Sequence, residues 1–375
     1  MLLRDPDAPE AFEGGAILNE FRNADGLLLS QLYRDVLLWV AAVDPQQLFR
    51  PDSELLGALL SECGLCGEER AMVDLLIDLL SATGTDRVQL SYCCRTLAHW
   101  ALSAKKPRTA IAFLQAAALA ADSDTALMVE VAVALGARKS YRAAETWANR
   151  AVGLARRKRD RAAYAEGSLE LGRLLLKRGS IEDAEASLLR ARRMASRCGM
   201  RGTTAHADHE LFRLALARED WPAAENYAAA ARRGYGRNHR QLPVLQHEHA
   251  EMLVHRGANV EEAIRLLQRA LPLRRNLVEK TESLIVLVRA ADLAEDHELV
   301  ASTWYSAVKA IECMGETAEA ARFLLCLARS TRAETQHTHS AEAARRAQMI
   351  AMRVNEASLA AEAKTLRDEL RGERR

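Results

Sequence analysis

The side chains best suited to chemistry are "CGLC" at Cys63 and Cys66, three close histidine pairs and several runs of arginine. A CxxC pair can act as a dithiol or as half of a zinc site. A structural zinc site takes four ligands, and no second pair stands at the required spacing. Cys93 and Cys94 are adjacent, and no strand precedes the CxxC, as a thioredoxin-like context requires. The alternative is ordinary thiols at a helix turn. His206/His209, His247/His249 and His337/His339 have chelating spacing, but no HExxH accompanies them, so they read as structural residues rather than metal ligands. There is no phosphate loop, GxGxxG, nucleophile elbow or Ser/His/Asp set. The sequence therefore predicts no enzyme, no cofactor and no metal. What remains is basic: "RRKR" at Arg156–Arg159, "RARR" at Arg190–Arg193, Arg232-Arg233, and Arg274-Arg275.

The elements that carry these residues are helical. Of 375 residues 49% are hydrophobic but only 5% aromatic, with 8 Pro and 19 Gly. Alternating runs rich in Val, Ile, Thr and Tyr are missing, so no sheet is expected. Net charge is +1, yet residues 1–86 carry 5 basic and 16 acidic residues while 138–240 carry 23 basic and 12 acidic. The start, "MLLRDPDAPEAFEGG", has no apolar core of a signal peptide. No uncharged apolar run approaches the ~18 residues of a membrane helix. Seven cysteines without framework spacing suggest free thiols in a reducing compartment. Together these predict a cytoplasmic protein without membrane contact.

Repetition gives the organisation. "LGRLLLKRGSIEDAEASLLRARRMA", 171–195, splits into a helix ending near Lys177, a turn at Arg178-Gly179-Ser180, and a helix from about Ile181. Ser180 is the expected N-cap, with Asp183 in the capping-box place. Five second helices carry alanines seven apart: Ala110/Ala117, Ala144/Ala151, Ala184/Ala191, Ala224/Ala231 and Ala263/Ala270. Between them stand Leu114, Ala148, Leu188, Ala228 and Leu267. First helices repeat Leu97-Ala98…Ala101, Val131-Ala132…Leu135 and Leu171-Gly172…Leu175. Small residues let helices approach, with a larger neighbour as the knob. Gly172 and Ala184 are expected opposite each other, with Ala191 seating the next unit.

This pattern resembles the tetratricopeptide repeat, best at Leu171, Gly172, Leu175, Gly179, Ala184, Leu188 and Ala191. The likeness covers roughly 87–354. The family's Trp is missing, Phe212 stands for a small residue and His249 for an apolar one. Successive second-helix alanines lie 34, 40, 40 and 39 residues apart, and such long units resemble those of bacterial signalling regulators. The resemblance implies an all-α, right-handed α-solenoid of stacked helix–turn–helix units. Residues 1–86 form an acidic N-terminal helical segment or cap, in three helices from Leu27, Asp52 and Glu68. Residues 87–354 are the repeats. Residues 355–375 are a capping helix and charged tail, with Asn355 as its cap, since a stacked array needs a polar end.

In the family the ligand face is concave and lined by first helices. Carried over, its positions are Tyr92, Arg95 and His99; Arg173 and Lys177; His206, His209 and Arg213; and His247, Glu251 and His255. Five histidines and four Arg or Lys there would suit an acidic or carboxylate-ended peptide, because Arg pairs with carboxylates in bidentate geometry. Ordinary solvated helix residues are the competing explanation. The paired Asn and Lys of a chaperone-binding carboxylate clamp are not found. A second expected surface is a basic edge of Arg156, Arg157, Arg192, Arg193, Arg232 and Arg233. Its residues would serve a nucleic acid or an acidic protein, or simply complement helix dipoles. Few aromatics stand nearby for base stacking. Acidic residues 1–86 are themselves an available partner for 138–240, as an intramolecular latch. The expected function is a protein- or peptide-binding scaffold or sensor in a bacterial-type regulatory or assembly system. The alternative is a nucleic-acid-associated regulator using the basic edge.

Overall fold

A computed structural model describes residues 14–21, 23–42, 51–82, 85–331 and 337–372. Among them every regular element is a helix, the smallest a single 3₁₀ turn at Leu271–Leu273. None is long and apolar enough to cross a membrane. The chain forms two compact units, 1–214 and 215–375.

The first unit opens with α1 (Gly14–Glu20), α2 (Asn23–Ala41), α3 (Ser53–Glu62) and α4 (Glu68–Ser81). The last three match the helices expected before residue 87; α1 is additional. Residues 1–13, which hold the stretch read for a signal peptide, lie outside the described residues. Three hairpins follow: α5 (Arg87–Ser103) with α6 (Pro107–Ala120), α7 (Thr125–Ala137) with α8 (Tyr141–Lys158), and α9 (Arg161–Arg178) with α10 (Ile181–Arg197). Helix α11 (Arg201–Ala217) carries the unit boundary. The second unit continues with α12 (Trp221–Tyr235), α13 (Leu242–Arg256), α14 (Val260–Ala270), α15 (Leu277–Leu293), α16 (His297–Glu312), α17 (Ala318–Ala328), α18 (His337–Arg353) and α19 (Ala357–Gly372).

The alanine pairs are the packing seats. All ten, from Ala110 to Ala270, have 0% exposure. The residues between them, Leu114, Ala148, Leu188, Ala228 and Leu267, are buried with them. The knob facing Gly172 is Leu188: a Cβ on Gly172 would stand 2.6 Å from Leu188 Cδ2. Gly136 likewise gives way to Leu174, 2.8 Å from where its Cβ would be.

Turns repeat as regularly as seats. Gly179 takes φ +82°, and the Ser180 and Gly179 amides donate to Leu175 and Leu176 carbonyls at 2.9 and 3.0 Å, closing the helix end as a left-handed cap does. The equivalent position elsewhere is held by Lys105, Lys139, Glu219 and Glu295, all with positive φ. Ser180 makes no side-chain cap bond. Aspartates do that work at other starts: Asp124, Asp160, Asp220 and Asp296 accept from first-turn amides. Asn355 is also not a cap; it is a left-handed turn residue, φ +60°. The last helix is amphipathic, burying Leu359 and Ala363 against the core of its unit.

The acidic N-terminal segment anchors on the first hairpin. Phe21 stacks on Trp100 with centroids 5.4 Å apart, and Tyr33 meets Phe113 edge-on at 6.0 Å. The Glu20 carboxylate accepts from the Arg108 and Thr109 amides at 2.9 and 2.8 Å, capping α6. These contacts go to residues 100–113, ahead of the basic 138–240 stretch.

Two outcomes test this account. Gly172→Ala should lower stability by about 1–3 kcal/mol through overpacking, whereas Gly153→Ala, whose Cβ meets nothing closer than Arg157 Nη1 at 3.7 Å, should raise it by roughly 0.5–1 kcal/mol. Denaturant unfolding of the pair reads both. Glu295→Gly should relieve left-handed strain of order 1 kcal/mol and raise Tm in a thermal scan.

Candidate binding surfaces

The first helices of unit one present a row of charge. Arg95 and His99, one turn apart on α5, both reach Glu130 of α7, at 3.0 and 3.1 Å. Arg173 of α9 reaches Glu210 of α11 at 3.0 Å and its own neighbour Glu170 at 3.6 Å. Arg213 bonds the same Glu210 at 3.2 Å. Burial pushes the Glu170 carboxyl up, and Arg173 opposes that shift. The structure thus brings together Arg95 with His99, and Arg173 with Arg213, each group around a carboxylate. An acidic ligand at these positions must displace Glu130, Glu170 and Glu210. Lys177 and Tyr92 are exposed. His206 is half-buried, and His209, only 2% exposed, is closed into the helix packing with its ring 6.3 Å from Phe212.

Sequence reasoning missed these carboxylates, although a signal existed. Glu170 and Glu210 stand three residues before Arg173 and Arg213, the spacing of same-face helix partners. Glu130 and Glu210 stand roughly one repeat after Arg95 and Arg173, which places them on the neighbouring first helix.

Unit two has a cleft on its first helices of about 510 Å³. Carboxylates of Glu248, Glu251, Glu279 and Glu282 line it, with Val244, Ile285, Val286 and Phe323 as apolar wall. Arg274, 5% exposed, sits in the wall and bonds Glu282 at 3.1 Å and the Glu279 carbonyl at 3.1 Å. His247 is only 8% exposed. Its Nδ1 shares a 3.1 Å hydrogen bond with Ser283 Oγ. Burial, aided by Arg274, pushes its pKa down to about 4, so near neutral pH it is an uncharged wall residue rather than a cation. Glu251 Oε2 stands 4.0 Å from its Nε2. His255 is exposed, 6.4 Å from the Trp221 ring.

The basic edge divides. Arg192 pairs with Asp208, and Arg232 with Glu262 at 3.4 Å. Arg156, Arg157, Arg193 and Arg233 are exposed and, among the described residues, have no carboxylate partner. Around the CxxC, the Cys63 thiol donates to the Leu60 carbonyl at 3.3 Å and accepts from Arg70 Nη1 at 3.1 Å, while Cys66 is exposed. Among the described residues no three His, Cys, Asp or Glu side chains gather as metal ligands. The His337 side chain lies outside the described residues.

His247 sets a pH dependence. Its folded pKa lies below the ordinary 6.5, so the unfolded chain takes the proton first, and stability falls as pH drops from 6.5 toward 4. Glu282, raised by burial, acts in the opposite sense near the acid end. The Tm loss between pH 7 and 4.5 should therefore be smaller in His247→Gln than in the unaltered chain, measured by thermal scans across that range.

No family model matches the chain, and no curated protein matches it in sequence. Among solved structures, PilF of Pseudomonas aeruginosa is similar over 63% of this chain and 97% of its own, at 18% identity and TM-score 0.49. The Rap conjugation gene regulator of plasmid pLS20, solved with the Phr* peptide, is similar over 92% and 96%, at 14% identity and TM-score 0.48. Yeast Tom70 is similar over 96% of this chain and 69% of its own, at 11% identity and TM-score 0.48. The chain's own repeating seats, turns and paired helices make it an all-α solenoid of tetratricopeptide-like hairpins.

Proposed function

We propose that the chain is a protein- or peptide-recognition scaffold that engages its partner through the surface of its first helices. The observation that carries this is the cleft of unit two: about 510 Å³, open, with an apolar wall beside four carboxylates. A cleft of this kind accepts one or two side chains of a peptide, fixing them by apolar contact and a few placed polar groups. Its charge selects a basic segment. His247 is neutral there, and the one guanidinium, Arg274, is already bonded to Glu282. In unit one the same helices offer Arg95, His99, Arg173 and Arg213 paired with their own carboxylates, which supports exchange of partners rather than capture of a free anion. The Rap regulator solved with a peptide, cited above, makes a peptide ligand a natural first trial. A regulatory or assembly role belongs to this same proposal.

A peptide array probed with the purified chain tests it. Peptides bearing Lys or Arg beside an apolar residue should be retained. Glu251→Lys should cut that retention at least tenfold without lowering Tm, since Glu251 is exposed. Retention unaffected by Glu251→Lys and by Arg173→Ala would sink the proposal.

A further inference from the structure

A second cleft, of about 700 Å³, lies among second helices of unit one, away from the ion-pair row just described. Helices α6 and α8, with the start of α7, enclose it. Asp122, Thr146, Trp147, Asn149, Arg150 and Arg157 are its polar lining. Trp147 is fully buried and its Nε1 has no hydrogen-bond partner. Its ring is the platform for Arg150, whose guanidinium carbon stands 5.1 Å from the ring centroid. Arg157 folds back along α8 over Gly153, with Nη1 3.7 Å from where a Cβ there would sit. Helical side chains lean toward the N-terminus in this way.

Neither arginine has a carboxylate partner among the described residues. Their neighbours do: Arg173, Arg178 and Arg192 are paired with Glu210, Glu145 and Asp208. The helix dipole accounts for cations in the last turn of α8, such as Arg157. It does not account for Arg150, two turns further back. Seven residues of helix rise separate the two by about 10 Å, the span of two carboxylates rather than one.

We infer that this cleft binds an acidic protein segment, with Arg150 and Arg157 each taking one carboxylate. Protein rather than nucleic acid is favoured by three features. The tryptophan is covered and offers no face to a base. Asp122 interrupts any continuous phosphate track. The amide of Asn149 suits a peptide backbone. The site is independent of the unit-two cleft and of opposite charge preference.

The test is fluorescence anisotropy with labelled hexaglutamate and hexaglutamine peptides at low salt. The full chain should hold hexaglutamate at least tenfold more tightly. The double variant Arg150→Ala/Arg157→Ala should lose that preference. Arg156→Ala/Arg193→Ala, equal in charge removed and drawn from the same unpaired set, should keep it. Equal loss in the two double variants would mean a diffuse basic surface and would overturn the site. So would the absence of any preference for hexaglutamate, or a duplex oligonucleotide held more tightly than hexaglutamate through Arg150 and Arg157.

Discussion

The closeness of two helices at a residue with no side chain to spare is the constraint on which this molecule rests. Leu188 enters the space that a Cβ on Gly172 would fill, and the ten paired alanines are sealed from solvent. Dense interiors transmit small changes of volume, so each seat fixes the register of its hairpin. With register fixed, the other face of every helix is determined too. The charged positions fall where they do because the small ones leave no freedom.

Charge is then arranged against charge. On the first helices of unit one, arginine and histidine meet glutamate from the next first helix, while unit two gathers carboxylates around a neutral histidine and a buried arginine. Partly exposed pairs of this sort contribute little to stability individually. Their larger effect is on which ligand can enter, since a ligand charge must replace an existing one or fill a place that has none.

The fold was legible because packing repeats. Alanines seven apart in five successive helices, and the glycine turn at 179, marked hairpins that the structure contains. Boundaries were blurred where the chain departs from the expected turn chemistry: lysine and glutamate hold left-handed positions at 105, 139, 219 and 295, and no sequence rule assigns them there. Helix α1 was too short to show a period. The candidate surfaces were half legible. Arg95 and His99 share Glu130, and Arg173 shares Glu210 with Arg213; Glu130, and Glu210 as seen from Arg173, come from a helix about one repeat away, and a site read one helix at a time omits them. His209 and His247 carry no mark in sequence that separates a buried histidine from an exposed one. Arg150 was passed over because it stands alone, outside the runs that drew attention.

Glu130 holds two side chains of the adjacent helix at once, Arg95 and His99, and Glu210 likewise serves Arg173 and Arg213. A ligand cation that wins Glu130 releases Arg95 and His99, whereas one that wins Glu210 releases Arg213 and leaves Arg173 with Glu170. Binding at either carboxylate is therefore an exchange of one ion pair for another, and the strength of the pair already present sets the threshold a ligand has to pass.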